Sequence, residues 1–258
     1  MIIAALALGL VVGSLLGMVG GGGAIIAVPA LVYGVGLPLE EAIPTSLIVV
    51  GAASAVAVLP RIRRGVNWRL ALIVGSAGVA TAFLGTMVNR LLDPGILLLA
   101  FAVIMVIAGI RMLMPIRGGG GPCALPGGGV RWRSCLPRAL ATGAVVGFLT
   151  GLLGVGGGFL IVPALTLVLG LPMSVTVGTS LVIIVINSIA GFTAHLGDVQ
   201  IDWAVTGAFA ATAMAASLIA GRLARGLSDS VLKRGFAVLV LIIAVYVAVQ
   251  AVIVLVES

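Results

Sequence analysis

Long apolar runs, separated by short polar stretches, divide the chain into ten segments. In the first half they lie near 2–19, 24–37, 43–60, 67–89 and 95–114, and in the second near 138–153, 158–171, 177–195, 203–221 and 231–255. Because a bilayer core needs about 20 helical residues, the last three runs of each half are long enough to span it. The second run of each half has only about 14 residues, so we expect a tilted half-helix there.

The composition agrees with a chain whose solvent is the lipid bilayer. Hydrophobic residues make up 62% of it, charged residues 8%, and the mean hydropathy is +1.37. A soluble domain cannot bury so much apolar surface, so the prediction is an all-α, multi-pass protein of the cell membrane. The net charge of +7 would suggest nucleic acid as a partner in a soluble chain. In a membrane protein it reflects basic loops on one face, and no nucleic acid is expected.

The chain contains an internal duplication. A shift of 134 positions matches 19 of the 39 residues in 9–47, and the matches include glycines, prolines and hydroxyls as well as apolar residues. The predicted organisation is a first transmembrane repeat (1–115), a Gly/Pro-rich cytoplasmic linker (116–137) and a second transmembrane repeat (138–258).

Cations mark one face of the membrane. All Lys and Arg residues except Arg90 flank three loops: the one before Trp68, the central linker, and the one between the ninth and tenth segments. We call the face that carries these loops the Arg-rich face, and the positive-inside rule makes it cytoplasmic. The loop before Trp203, the repeat partner of Trp68, has no cation and falls on the opposite face. The two halves are therefore predicted to be inverted-topology repeats, an architecture of many secondary transporters.

Glycine runs connect the first and second segments of each half, where the chain must turn inside the membrane. The residues of interest are Gly22, Gly23, Gly156, Gly157 and Gly158. Broken helices in transporters expose helix N-termini, which carry unpaired N–H groups and attract anions. The alternative is that the glycines only permit close helix packing. The duplication in an inverted repeat favours a substrate site built from two short hairpins that meet near the midplane.

A Thr-Ser pair is also duplicated, each copy after a helix breaker and before a long apolar run. The breakers Pro44 and Gly178 predict that the third and eighth helices start there, with the hydroxyls at their N-termini. The hydroxyls either cap these helices or converge with the N–H groups on one ligand. The four residues are Thr45, Ser46, Thr179 and Ser180.

Other polar residues within the spans are few. Asn187 either joins helices or lines the substrate path, and we include it among the candidate substrate ligands. His195 ends a span near the outer face, where it is either solvated or a proton relay. The spans carry no obvious cation at mid-depth and few carboxylates. Because helix dipoles and hydroxyls alone can hold an anion, this set of polar groups favours an anionic substrate. Cys123 and Cys135 have no further Cys or His nearby, and in a cytoplasmic linker we expect reduced thiols and no metal or other cofactor.

The repeated string GxxxGxxGxGGGxxxVPxL, followed by GLP and GTSL, resembles a known family. It is similar to the TauE/SafE permeases, also called the sulfite exporter or toluene sulfonate uptake family, and the likeness extends over essentially the whole chain. The second half is the more faithful copy, because the first has Gly21 where the second has Val155, and Pro44 where the second has Gly178. The resemblance implies transport of sulfite, sulfonates or related sulfur oxoanions, without identifying the substrate.

These patterns predict a secondary transporter that moves a small anion by alternating access. Uptake instead of export, and a passive anion channel, remain alternatives. No Gly-Lys-Ser/Thr follows either glycine run, so energy is expected from a gradient, with a proton as a candidate coupling ion. An enzyme is not expected, since one His and seven carboxylates form no metal-ligand cluster in the sequence. Apart from substrate, proton and lipid, a second copy in a homodimer is the partner left open.

Overall fold

The computed structural model describes residues 1–62, 65–89, 91–92, 94–114, 123, 132–153, 158–194, 201–224 and 226–257. In this part of the chain the backbone forms helices and short connections, and no β-strand occurs. The helices are α1 Ile2–Val19, α2 Gly22–Pro29, α3 Leu39–Val58, α4 Trp68–Asn89, α5 Pro94–Leu113, α6 Trp132–Leu153, α7 Gly158–Pro163, α8 Met173–Ala194, α9 Trp203–Ala224 and α10 Asp229–Glu257. Wide π turns, Ala30–Val35 and Ala164–Val168, extend α2 and α7, and a 3-10 turn, Leu59–Arg61, extends α3.

Eight of the helices, all except α2 and α7, are long and apolar enough to cross a membrane. With their π turns, α2 and α7 cover only Gly22–Val35 and Gly158–Val168. Helices satisfy their backbone hydrogen bonds internally, which the hydrocarbon core requires of any segment that spans it. The structure therefore confirms an all-α, multi-pass membrane protein with five segments in each half, the second of them short.

Helices α3 and α8 begin earlier than the sequence predicts. They start at Leu39 and Met173, so Pro44 and Gly178 lie inside them and the predicted starts are wrong. A proline removes the hydrogen bond to the carbonyl four residues earlier, and here that carbonyl belongs to Glu40, which is solvent-exposed. Gly178 permits a close contact instead, because a Cβ there would meet the backbone of Gly65. Neither residue needs to end a helix in these places.

The connection after each short helix is built the same way in both halves. The N–H groups of Leu37 and Leu171 each donate to a carbonyl six residues earlier, at 3.1 and 3.2 Å. Gly36 and its repeat partner Gly170 precede them with φ of 87° and 69°. The repeat seen in the sequence thus extends to individual backbone hydrogen bonds.

Helix α1 lies along α9, with glycines at the contact. A Cβ on Gly13 or Gly17 would meet the backbone of α9 at Ala213 or Ser217. Four residues along α1, from Gly13 to Gly17, correspond to four residues along α9, from Ala213 to Ser217, so the two helices run in the same direction. The equivalent pair is α6 on α4, where a Cβ on Gly147 would meet the α4 backbone. Small residues allow membrane helices to approach this closely, so these glycines serve packing.

Equivalent helices of the two halves run in opposite directions. Where α3 crosses α8, Leu47 lies against Gly191 and Gly51 lies against Ser188. The numbering rises along one helix as it falls along the other, so the helices are antiparallel. Helices α5 and α10 are antiparallel as well. This arrangement is compatible with the predicted inverted-topology repeats.

The α1–α2 pair forms a hairpin. Ser217 of α9 faces Gly17 of α1 and also donates its hydroxyl to the carbonyl oxygen of Ala53 in α3, at 3.0 Å. Farther along, Gly221 lies beside Ala57, so α3 runs parallel to α9 and therefore to α1. Two consecutive long helices can run in the same direction only if the segment between them returns. Helix α2 with its π turn provides that return, as the sequence predicts.

The two cysteines of the central segment form a disulfide, so the prediction of reduced thiols is wrong. Cys123 and Cys135 are both buried, and their Cα atoms lie 5.0 Å apart, within the range that a disulfide spans. Helix α6 begins at Trp132, inside the predicted linker, and it holds Cys135 in place. Proximity of this kind depends on how the chain folds back on itself, which the spacing of twelve residues does not determine.

Candidate functional site

The first glycine run forms the tip of the α1–α2 hairpin. Helix α1 is followed by Gly20, whose φ of 80° is the left-handed conformation that glycine adopts without strain, and α2 begins two residues later. Gly23 then packs back onto α1, where a Cβ would meet the carbonyl oxygen of Val12. At Gly22 a Cβ would meet only the end of the Leu239 side chain. The glycine run therefore allows the chain to turn after α1 and allows α2 to pack closely against α1.

This tip lies inside the protein, short of the Arg-rich face. Gly17 faces Ser217, and α1 ends two residues later whereas α9 continues to Ala224. At 1.5 Å per residue, α1 stops roughly 8 Å before the end of α9. A helix end in this position exposes carbonyl groups that water does not readily reach.

Two polar side chains satisfy carbonyls at that buried helix end. The hydroxyl of Ser180 can donate to two carbonyl oxygens, that of Val177 in its own helix at 2.9 Å and that of Gly20 at 3.2 Å, and the guanidinium of Arg61 donates to the carbonyl oxygen of Gly17 at 2.9 Å. Arg61 also donates to the carbonyl oxygen of Ala57, at 3.2 Å. Ser180, predicted to lie at the start of its own helix, lies inside α8 and shares its hydroxyl proton between α8 and the end of α1.

The first hairpin meets the start of α7 at glycines of both. A Cβ on Gly21 would meet the carbonyl oxygen of Gly158, and one on Gly158 would lie 3.0 Å from the Cβ of Ala24. The structure thus brings Gly158 of the predicted site together with the first glycine run. Gly156 and Gly157 lie outside the described residues.

The four predicted hydroxyls do not meet at one point. Eleven residues of α8 separate Ser180 from Gly191, and Gly191 lies against the residue next to Ser46. At 1.5 Å per residue, the two hydroxyl pairs lie roughly 16 Å apart along the helices. Ser46 donates locally, to the carbonyl oxygen of Ile43 at 2.7 Å. The expected convergence is therefore absent from this structure, although each pair remains a candidate for its own side of the membrane.

The remaining two hydroxyls are buried. Thr179 accepts a hydrogen bond from the backbone N–H of Asn67 at 3.1 Å, which ties α8 to the start of α4. The Asn67 side chain in turn accepts from the N–H of Leu70 and caps α4. Thr45 is also buried. These contacts give Thr179 a structural role where α8 meets the start of α4.

The N-terminus of α8 is already occupied by a carboxylate. Asp229, the first residue of α10, accepts hydrogen bonds from the N–H groups of Met173 and Ser174, each at 3.1 Å. An acidic side chain at this end of a helix is stabilised by the helix dipole. Sequence analysis missed this role, although Asp229 and Asp93 are repeat partners and their duplication was a usable signal.

Asn187 and Ser54 lie close to the level where α3 and α8 cross. The side-chain oxygen of Asn187 and the hydroxyl of Ser54 are buried, and neither finds a hydrogen-bond partner among the described residues. Buried polar groups in proteins nearly always have partners, so these two atoms are available to a ligand or a water molecule. Asn187 remains a predicted substrate ligand.

A cavity of about 780 Å³ opens beside the first hairpin tip. Arg61, only 6% exposed, forms part of its wall together with Ser174. Val177 lines the cavity and would lie 2.9 Å from a Cβ on Gly20, which places the cavity next to the tip. The described residues that line it are Leu59, Pro60, Arg61, Ile62, Gly65, Ser174, Val177, Ala224, Leu227 and Leu232. These residues lie at the helix ends and loops of the Arg-rich face, so the cavity reaches the hairpin from that side.

Sequence analysis counted Arg61 only as one loop cation among several. Its position in the sequence was a usable signal of a buried role. Arg61 directly follows the third apolar run and Pro60, and a long side chain at that position can reach back toward the membrane interior. His195 lies outside the described residues, so its predicted place near the outer face stays a prediction. Within the described ranges no group of three His, Cys, Asp or Glu residues is arranged to hold a metal ion.

Comparison with known proteins identifies what this chain is similar to. The family model described as Sulfite exporter TauE/SafE matches residues 5–247. A "Probable membrane transporter protein" of Xylella fastidiosa (strain 9a5c) is 32% identical over 243 residues, covering 92% of this chain and 90% of the relative. The "Probable membrane transporter protein YunE" of Bacillus subtilis is 27% identical over 218 residues, covering 76% and 78%. No solved structure matches the chain.

Proposed function

Because the chain belongs to the sulfite exporter TauE/SafE family of membrane transporters, we propose that it is a secondary transporter of a small anion. The proposed substrates are sulfite, an organosulfonate or a related sulfur oxoanion. The proposed mechanism is alternating access around the two glycine hairpins, across the cell membrane.

The observation that carries this proposal is the cavity that ends at the first hairpin tip. It reaches from the Arg-rich face to the level of Val177, and beyond it the first hairpin and α7 are in contact through Gly21 and Gly158. A transporter in one of its two states has such a path from one face and closed packing toward the other. In inverted repeats the halves can exchange conformations, which would open the equivalent path from the opposite face.

The chemistry of the cavity supports an anion as the substrate. Among the described residues, its lining includes the cation Arg61 and no carboxylate. Ser174 adds a polar side chain, and the rest of the wall is apolar or backbone. A guanidinium presents a planar set of N–H donors that fits sulfonate and related oxoanions. Alternating access works in both directions, so the proposal includes export and uptake.

Flux into proteoliposomes tests the proposal. Sulfite, thiosulfate, taurine, sulfoacetate and sulfate are each supplied with and without a pH gradient, and liposomes without protein serve as the control. We expect at least one sulfur oxoanion to enter with saturable kinetics, faster when the proton gradient is imposed. Flux that rises linearly with concentration and ignores the gradient would indicate a passive channel. A protein that moves none of the five anions would refute the proposal.

A further inference from the structure

We propose that Ser54, Asn187 and Ser188 form the polar midpoint of the anion path, where α3 crosses α8. The inference rests on the proposed anion transport and deepens it, because it names side chains that contact the anion between the two membrane faces. Of these three, sequence analysis included only Asn187 among the candidate ligands. The structure adds the two serines, which a shift of 134 residues relates as repeat partners.

The first argument is that the three side chains lie on the facing sides of α3 and α8. Gly51 of α3 lies against Ser188, and Gly191 of α8 is a second point of contact between the helices. Ser54 follows Gly51 by three residues, a spacing that places both on one side of α3. Asn187 precedes Gly191 by four residues, which places both on one side of α8.

The crossing also lies well inside both helices. Ser54 is seven residues before the end of the 3-10 turn that extends α3, and Ser188 is six residues before the end of α8. These ends lie on opposite faces because the helices are antiparallel, so each serine lies roughly 10 Å inside its own face. The levels of Ser54 and Asn187 differ by roughly 4 Å along the helices. The three side chains therefore form one group near mid-depth.

The second argument is that polar atoms of this group have no partner. The hydroxyl of Ser54 and the side-chain oxygen of Asn187 are buried and make no hydrogen bond among the described residues. By contrast, Ser46 of α3 and Thr193 of α8 donate to carbonyl oxygens three residues before them. Polar residues that only join helices do so through hydrogen bonds across the interface. Buried groups without partners are costly, so these atoms indicate a ligand.

The third argument is the start of α2, which lies at the same level. Ser217 of α9 faces Gly17 and donates to the carbonyl oxygen of Ala53. The last turn of α1 therefore lies at the level of Ser54, and the eight-residue helix α2 returns beside it, with Gly23 packed on α1. The first N–H groups of a helix lack intrahelical partners and carry partial positive charge. They favour an anion at this level.

The chemistry of the group suits an anion that has to move on. Hydroxyl and amide groups donate hydrogen bonds to the oxygens of an oxoanion. No Asp, Glu, Lys or Arg occurs in residues 47–58 or 176–194. A transport site must bind its ligand firmly enough for entry and weakly enough for release, and neutral donors meet both requirements.

The crossing is closed in this structure. A Cβ on Gly51 would lie 2.9 Å from the Cβ of Ser188, so the helices are in contact there. An anion reaches the three side chains only when α3 and α8 move apart, which agrees with the alternating access proposed above. The test therefore measures flux through the full cycle.

Flux into proteoliposomes that contain Ser54→Ala tests the inference. Sulfite is the probe, unless the wild type moves another of the five anions faster. The variant removes a hydroxyl without a partner among the described residues, so its melting temperature should be at least that of the wild type. We expect kcat/KM of flux to fall about tenfold to hundredfold, as for loss of a hydrogen bond to a charged group. Wild-type flux in Ser54→Ala would overturn the inference, while wild-type transport would still support the proposed function.

Thr206→Val is the matched control. Thr206 of α9 is also buried, and its hydroxyl is likewise unpartnered among the described residues. It lies eleven residues before Ser217, which is bonded to Ala53, and thus roughly 16 Å from the crossing along α9. Thr206→Val should keep wild-type flux. A loss equal to that of Ser54→Ala would overturn the inference, because burial of the hydroxyl and not its position would explain both results.

Asn187→Asp distinguishes an anion from a cation or proton at the crossing. The substitution keeps the size of the side chain and adds a negative charge, which repels an anion strongly where water is excluded. We expect flux to fall by at least about a hundredfold. Flux at or above the wild-type level would mean that the group binds a cation or a proton, and would overturn the inference. If the melting temperature shows that Asn187→Asp does not fold, Ser54→Ala decides alone. A wild type that moves none of the five anions would refute both the inference and the proposed function.

Discussion

The packing of α1 on α9 allows a quantitative test at Gly13. A Cβ at this position would lie 2.6 Å from the Cα of Ala213, whereas ordinary van der Waals contacts of Cβ atoms begin at 3.4 Å. In Gly13→Ala the two helices must therefore separate locally by about 1 Å, which corresponds to overpacking by one methyl group and costs about 1–3 kcal/mol. Alanine also favours a helix over glycine by up to about 1 kcal/mol, which offsets part of that cost.

The control for the helix-propensity gain is Gly207→Ala, on α9 itself. No atom of the described residues lies within 4 Å of a Cβ there, so this variant gains the helix propensity of alanine without the clash. The difference in unfolding free energy between Gly13→Ala and Gly207→Ala then isolates the packing cost, about 1–3 kcal/mol. This corresponds to roughly a fivefold to hundredfold change in the folding equilibrium.

The assay is unfolding of the purified protein with increasing concentrations of a denaturing detergent, monitored by tryptophan fluorescence. We expect Gly13→Ala to unfold at a lower denaturant concentration than Gly207→Ala. Gly147→Ala, in which a Cβ would meet the α4 backbone at Gly78, should behave like Gly13→Ala because it is the repeat partner. Equal stability of Gly13→Ala and Gly207→Ala would refute the packing argument.

Three further predictions concern hydrogen bonds and the disulfide. Asp229→Ala removes the acceptor of two backbone N–H groups at the start of α8 and should destabilise the protein by about 1 kcal/mol, and an unchanged melting temperature would contradict this. Ser180→Ala leaves the carbonyl at the end of α1 without its donor and should cost about 1–3 kcal/mol. Ser46→Ala loses only a local bond and should melt at a higher temperature than Ser180→Ala, so the reverse order would refute the cap. Cys123 and Cys135 should react with a maleimide in denaturant only after reduction, and labelling of both thiols without a reductant would disprove the disulfide.

The number of helices and their pairing into two halves could be predicted from the sequence. Long apolar runs leave the chain little choice in a bilayer, because the backbone must satisfy its own hydrogen bonds there. The short second segment and the turn at Gly20 also follow from local sequence, through length and through the conformational freedom of glycine. The helix starts at Pro44 and Gly178 were predicted wrongly. The carbonyl that Pro44 leaves without a hydrogen bond belongs to the exposed residue Glu40, and Gly178 permits a close contact with the backbone of Gly65.

The roles of individual residues depended on the tertiary structure. Gly13 and Gly23 look alike in the sequence, yet one packs against a helix 200 residues away and the other against its own hairpin partner. Ser180 contacts Gly20, which is 160 residues distant in the sequence. The role of Arg61 follows from its hydrogen bond to Gly17 and from its place in the cavity wall. The disulfide likewise required the actual distance between two cysteines. Hydrophobic patterning acts on each segment separately and is therefore readable from sequence, whereas close contacts, caps and buried charges depend on which distant segments the fold brings together.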